Sequence, residues 1–272
     1  MKKVAFITGG TSGIGKAICT YLTIKGVQVY GTGRLAVNGE ITKEGYTLVQ
    51  CDVTNTESVN EAIQYIIKKE NKIDLVVNNA GIGMAGSVED SEIEEIRNIF
   101  NTNVAGTLRV CKAVLPSMRS QKAGLIINIS SVGGLMGLPY RGVYSSSKSS
   151  VELLSEAMSM EVMKFGIKVV LIEPGDFKTS INLNRKVSPN TQHSIYKEEF
   201  DRIHEIINDE VTNGQNPFKI GKLVYKILLK KNPRVRYNTG NFSSKLALVL
   251  KRILPTRLFE RIIMNHYNIK RK

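Results

Sequence analysis

The chain has 272 residues, 42% of them hydrophobic and 23% charged, the balance of an ordinary soluble globular protein large enough to bury a substantial core. No apolar run reaches the ~18 residues of a spanning helix, and the opening MKKVAFITGG carries a stretch (VAFI) too short for the apolar region of a secretion signal. The net charge of +14 is uneven: residues 1–218 hold 23 basic and 23 acidic side chains, residues 219–272 hold 15 basic and one acidic, so a neutral body carries a basic appendage.

Short β-branched runs alternate along the chain with longer segments of helical period. VAFIT (4–8), VQVYGTG (27–33), YTLVQC (46–51), IDLVV (73–77), LIINIS (125–130) and IKVVLIE (167–173) predict strands buried on both faces. Between them, 13–25, 56–70, 92–121 and 142–164 predict helices. Such alternation means a doubly wound α/β fold, a Rossmann-type parallel sheet with right-handed crossovers. Residues 1–240 are expected to form this catalytic domain, with the polar stretch 176–216 as an inserted substrate loop before a short helix, and 241–272 a basic, amphipathic helical extension. Cys19, Cys51 and Cys111 are odd in number and lack metal-ligand spacing, so reduced core thiols, a cytoplasmic location and no metal site are expected.

In an open sheet of this kind, ligands bind beyond the carboxyl ends of the strands. After the first strand, TGGTSGIG (8–15) allows a tight turn and close approach of the backbone to an anion at a helix start. Tyrosine and lysine stand four apart, on one helical face, in YLTIK (21–25), YIIKK (65–69) and YSSSK (144–148). The spacing cannot choose among them, but position can. Tyr21 and Tyr65 lie deep in their helices, whereas Tyr144 sits near a helix start that faces the mouth of the sheet.

The order T-G-x-x-x-G-x-G, CDVT, NNAG, FNTNVAG, a serine thirteen residues before YSSSK, and EPGDFKT resembles the short-chain dehydrogenases/reductases across essentially the whole chain. The resemblance implies a nicotinamide dinucleotide held by Gly9, Thr11, Ser12, Gly13, Ile14 and Gly15, with Asp52 and Val53 at the adenine. Asn79, Ala80, Gly81, Pro174, Gly175 and Thr179 join Tyr144 and Lys148 around the rest of the cofactor. Where members that use NAD place an acid after the second strand, this chain has Arg34, which can pair with a 2′-phosphate, so NADP(H) is expected. The resemblance also makes Asn103, Ser131, Tyr144 and Lys148 the catalytic set, with Lys148 and the oxidised nicotinamide drawing the Tyr144 phenol down from about 10.

Within the family, the chain looks most like the branch of 17β-hydroxysteroid and retinol dehydrogenases, which implies a lipophilic ketone, aldehyde or secondary alcohol. A 3-oxoacyl-thioester reductase and a sensor that keeps the cofactor without chemistry are the alternatives. Relatives pair through helices corresponding to 92–121 and 142–164, so a homo-oligomer is expected, and nucleic acid is not. In 245–267, apolar positions Leu246, Val249, Leu250 and Ile253, then Leu258, Phe259, Ile262 and Ile263, follow helical spacing among basic residues. That pattern allows either packing on the body or a partner subunit, or peripheral contact with an anionic membrane.

Overall fold

The computed structural model describes residues 2–179 and 185–270. Its elements in chain order begin with β1 (Val4–Ile7), α1 (Gly13–Ile24), β2 (Gln28–Gly33), β3 (Thr47–Gln50), α2 (Thr56–Glu70) and β4 (Leu75–Asn78). The short β5 (Met84–Ala85) precedes α3 (Ile93–Phe100), α4 (Gly106–Gln121), β6 (Gly124–Ile129), α5 (Gly142–Val162) and β7 (Ile167–Glu173). Then follow β8 (Lys186–Val187), α6 (Lys197–Thr212), α7 (Phe218–Leu228), β9 (Arg236–Asn238), α8 (Phe242–Ile253) and α9 (Thr256–His266).

Within the described residues, seven strands form one parallel sheet in the order β3-β2-β1-β4-β6-β7-β9. The order reverses between β1 and β4, which opens a crevice at their carboxyl ends. Alternate strand residues feed two cores. Phe6, Val76, Ile126 and Val169 pack under α2, α4 and α5, while Ile7, Val77, Ile127 and Val170 pack under α1 and α7. Burial on both faces is why the strands read as continuous apolar runs.

Three details depart from expectation. The segment predicted as one helix over 92–121 is broken by a π-helical turn, Asn101–Ala105, between α3 and α4. The stretch 176–216, whose residues 180–184 lie outside the described residues, contains a 16-residue helix, α6, that buries Phe200, Ile203, Ile207 and Val211. β8 within it pairs with β5 as a separate two-stranded sheet. Finally, β9 closes the main sheet beside β7 and was absent from the predicted strands.

Arg236 of β9 joins sheet to helix. It is ion-paired with Glu173 of β7 at 2.7 Å and with Glu156 and Glu152 of α5. The two C-terminal helices behave differently. α9 buries Phe259, and Tyr267 at its end is only 3% exposed, packed with Ile203 and Ile207 of α6. His266 pairs with Glu210 of α6 at 2.8 Å, and Glu210 holds its imidazole above the ordinary range. α8 buries nothing, and Phe242, Leu246, Val249 and Ile253 are exposed along one side. Among the described residues, no helix is long and apolar enough to cross a membrane.

Candidate active site

The chain turns from β1 into α1 at the mouth of the crevice. Gly9 and Gly13 take φ values of 66° and 52°, a left-handed conformation that side chains disfavour. A Cβ on Gly15 would collide with the Gly9 carbonyl and the Asn79 side chain. Asn79 holds the turn: its Nδ2 donates to the Thr8 carbonyl at 3.0 Å, and its backbone N–H donates to Thr8 Oγ1 at 2.9 Å. The Ala80 N–H donates to the same hydroxyl at 3.0 Å. Beneath the turn, Cys19 Sγ lies within 3.0 Å of where Cβ atoms on Gly10 and Gly31 would sit. Burial pushes that thiol far above its ordinary range.

α1 starts at Gly13, with Ser12 as an N-cap that makes no side-chain capping bond and with no acid in the first turn. Its first amides therefore meet the crevice without a side-chain partner, under the positive end of the helix dipole. A glycine cradle that a Cβ would fill, facing an uncapped helix start, fits the pyrophosphate of a dinucleotide. Ile14 lines the same cavity, with Gly81 opposite and Pro174, Gly175 and Thr179 along its edge.

Six of the predicted residues stand outside that cavity wall. Gly15 shapes the turn from behind. Thr11 packs against Gly33 at the end of β2, next to Arg34, whose guanidinium is exposed and has no hydrogen-bond or ion-pair partner among the described residues. Asp52 Oδ1 accepts from the Thr54 N–H at 2.9 Å and the Thr54 hydroxyl at 2.8 Å, an Asx turn leading into α2. The Val53 carbonyl accepts from Arg109 at 3.1 Å. Asn103 is buried in the π-helical turn, and its side chain clamps residue 82. Oδ1 accepts from the Ile82 N–H at 2.9 Å, while Nδ2 donates to the Ile82 carbonyl at 3.0 Å and to Ser147 Oγ at 3.1 Å. A bulge of this kind re-aims one side chain out of a regular helix, and here it ties the strand end at β4 to α5.

α5 brings the remaining residues together. Tyr144 and Lys148 share its inner face, with Ser131 opposite, just beyond β6. Lys148 is buried, and its Nζ donates to the Ile129 carbonyl at 2.9 Å. The other two tyrosine–lysine pairs do something different: Lys25 lies over the Tyr21 ring at 5.7 Å and Lys69 over the Tyr65 ring at 4.6 Å. Those are packing contacts between charge and ring face.

The electrostatics of the site are those of the protein without its dinucleotide. Burial pushes the Tyr144 phenol above its ordinary value, against the opposing pull of Ser131, Arg141 and Arg185. Burial lowers Lys148 itself to about 8, with Glu152 pulling the other way. In the protein alone the phenol is therefore held neutral beside a cation that is mostly protonated at neutral pH. Sequence reasoning also passed over Arg141, Asp176 and Arg185, which line the same cavity. Arg141 in LPYRG and Asp176 in EPGDFKT stand beside residues that were recognised, but nothing in their spacing marks them.

The model of the family described as short chain dehydrogenase matches residues 3–189. With this sheet and this site, the chain belongs to the short-chain dehydrogenase/reductase family. It is thus an oxidoreductase that works with a nicotinamide dinucleotide. It is 42% identical over 269 residues to 3-ketodihydrosphingosine reductase of Bacteroides thetaiotaomicron, covering 98% of this chain and 99% of that one. It is 32% identical to the NADPH-dependent 3-dehydrocapnine reductase of Ornithobacterium rhinotracheale, covering 96% and 95% respectively. A crystal structure of a short-chain dehydrogenase from Streptomyces avermitilis matches with a TM-score of 0.79 at 26% identity, covering 98% of this chain and 96% of that one.

Proposed function

We propose that the protein reduces the ketone of a long-chain, amino-bearing lipid with NADPH, the chemistry named for its relative that acts on 3-ketodihydrosphingosine. The observation that carries this reading is the meeting of Ser131, Tyr144 and Lys148 in one cavity with the uncapped start of α1. NADPH, when bound, supplies the hydride. The glycine turn and the first amides of α1 would hold its pyrophosphate, Asp52 and Val53 its adenine, and Asn79, Ala80, Gly81, Pro174, Gly175 and Thr179 the remainder. Arg34 would take the 2′-phosphate, and its free, exposed guanidinium supports that role.

The protein's own part is to place and protonate the carbonyl. Ser131 donates a hydrogen bond to the substrate oxygen. The Tyr144 hydroxyl gives its proton to that oxygen as the alkoxide forms, so the carbonyl carbon gains a hydride and the oxygen a proton. Burial that keeps the phenol neutral suits a proton donor. Lys148, cationic below about 8, stabilises the phenolate left behind and would hold the nicotinamide ribose. Asn103 acts from behind by fixing residue 82 and α5.

The exposed stripe of α8, with Lys245, Lys251 and Arg252 exposed beside it, supports peripheral binding to an anionic membrane that presents such a lipid. Leu153 and Met160, exposed on α5, support pairing with a second copy. A panel of long-chain 2-amino-3-ketones, retinoid and steroid carbonyls and 3-oxoacyl thioesters, run with NADPH and NADH, tests the reading. The amino ketone should be reduced fastest with NADPH, and Tyr144→Phe should abolish nearly all turnover in a folded protein. A fully active Tyr144→Phe variant, or preference for the thioester, would overturn it.

A further inference from the structure

The wall around Tyr144 carries charge that the carbonyl chemistry leaves unused. Arg141, in the turn before α5, and Arg185, just before β8, both line the cavity, and the charges of both reach the Tyr144 phenol. Arg141 donates through Nη2 to the Tyr267 hydroxyl, while its Nε is buried without an acceptor. Arg185 donates through Nη1 to Asn208 Oδ1 at 2.9 Å and stands against Gly83.

Among the described residues, neither guanidinium has a carboxylate within ion-pair distance. Negative charge is near, in Asp176 and Glu210, but forms no ion pair with either arginine among the described residues. Glu210 is engaged by His266, and burial raises Asp176 against the opposing pull of Arg141 and Arg185. Burial and the Arg141 charge pull Arg185 below its ordinary value, against the opposing pull of Tyr144, Asp176 and Glu210. Like charges held together in a half-buried wall are costly unless an anion joins them. A pair of guanidiniums is the side-chain arrangement best shaped to grip an oxyanion.

We propose that Arg141 and Arg185 form a subsite for an anionic head group of the substrate, a sulfonate, phosphate or carboxylate a few bonds from the reacting carbonyl. This rests on the reading that the cavity takes a lipid ketone, and it narrows that class to lipids with a negatively charged head. The cofactor's phosphates would lie elsewhere. Their cradle is the glycine turn, where Thr179 lies against Gly13, whereas Arg185 stands at Gly83 and Arg141 at Tyr267.

Calorimetry on the full chain saturated with NADP, using decane-1-sulfonate, decyl phosphate, decanoate and decan-1-ol, reads the subsite without turnover. A charge-assisted grip predicts that at least one anion binds about ten-fold or more tighter than the alcohol. Arg141→Gln and Arg185→Gln should each cut that margin to about three-fold or less, with NADP affinity held within about two-fold. The ranking of the three anions then names the head group.

In a second arm, lipid ketones with an anionic or a hydroxyl head are compared by kcat/KM, and the anionic preference should fall in both variants. Equal binding of the alcohol, a margin that survives in both variants, or a loss of NADP affinity would overturn the subsite. If no ketone is reduced, the proposed function fails while the calorimetry still decides the subsite. Should Arg141→Gln not fold, Arg185→Gln decides alone.

Discussion

Arg236→Gln tests how α5 is held in place beneath Tyr144 and Lys148. The side chains of Glu152 and Glu173 are 3% and 5% exposed, and Arg236 is their ion-pair partner. Glutamine keeps most of the side-chain bulk but leaves two buried carboxylates without their cation. Breaking a fully buried pair costs about 3–5 kcal/mol. Arg236 is itself 28% exposed and Glu156 is 44% exposed, so screening argues for the lower end, about 3 kcal/mol. For a chain of this size that is a fall of about 6–12 °C in the unfolding midpoint.

The pH dependence has a definite sign. Burial already raises Glu152, and losing the arginine raises it further, so the folded variant binds protons that the unfolded chain has released. Stability of the variant therefore falls as pH rises above the ordinary glutamate value of about 4.3 through that raised value, and the deficit is largest at alkaline pH. Thermal unfolding followed by circular dichroism at pH 8 and pH 6 measures both. A midpoint shift below about 2 °C at pH 8, or a deficit that grows on acidification, refutes the reasoning.

The reductive kcat/KM should decline as pH rises through about 8, where Lys148 loses its proton, and Lys148→Met should lose this limb with most of the activity. A profile flat well beyond that point would contradict the role of the ammonium. NADPH should bind about ten-fold or more tightly than NADH, and Arg34→Asp should narrow or reverse the gap; equal affinities in the unaltered protein would remove Arg34 from the site. The protein should sediment with anionic vesicles at low salt and be released at high salt, with Val249→Asp weakening the association. That point variant is cleaner than removing the C-terminal helices, since Phe259 and Tyr267 are buried against the rest of the chain. Binding unchanged in Val249→Asp would move the contact away from α8.

What could be read from the sequence followed from how local each signal is. The strands are continuous apolar runs because both sheet faces are covered, so six of the seven in the main sheet were legible. The seventh, RYN of β9, is three half-buried residues and carries no such run. α6 was hidden because its buried Phe200, Ile203, Ile207 and Val211 are spaced among acids and polar residues that read as loop. The glycine turn, Tyr144 and Lys148 announce themselves by fixed spacing on single elements. Arg141 and Arg185 do not, since their proximity depends on α6, α9 and the small β5–β8 sheet coming together around the cavity. The π-helical turn was equally invisible: FNTNVAG has ordinary helical period, and the extra residue shows only where Asn103 reaches Ile82.

The sulfur beneath the glycine turn gives the cofactor cradle a reporter of its own motion. Cys19 is sealed between Gly10 and Gly31, so a maleimide or disulfide reagent reaches it only when α1 lifts from β2, and its labelling rate counts those openings. Cys51 and Cys111 sit in the core on the opposite face of the sheet, where labelling follows separate movements of α2 and α4. A dinucleotide bound across the turn should therefore slow the reaction of Cys19 more than that of Cys111, which would resolve local breathing of the cradle from unfolding of the whole chain in one mass-spectrometric time course.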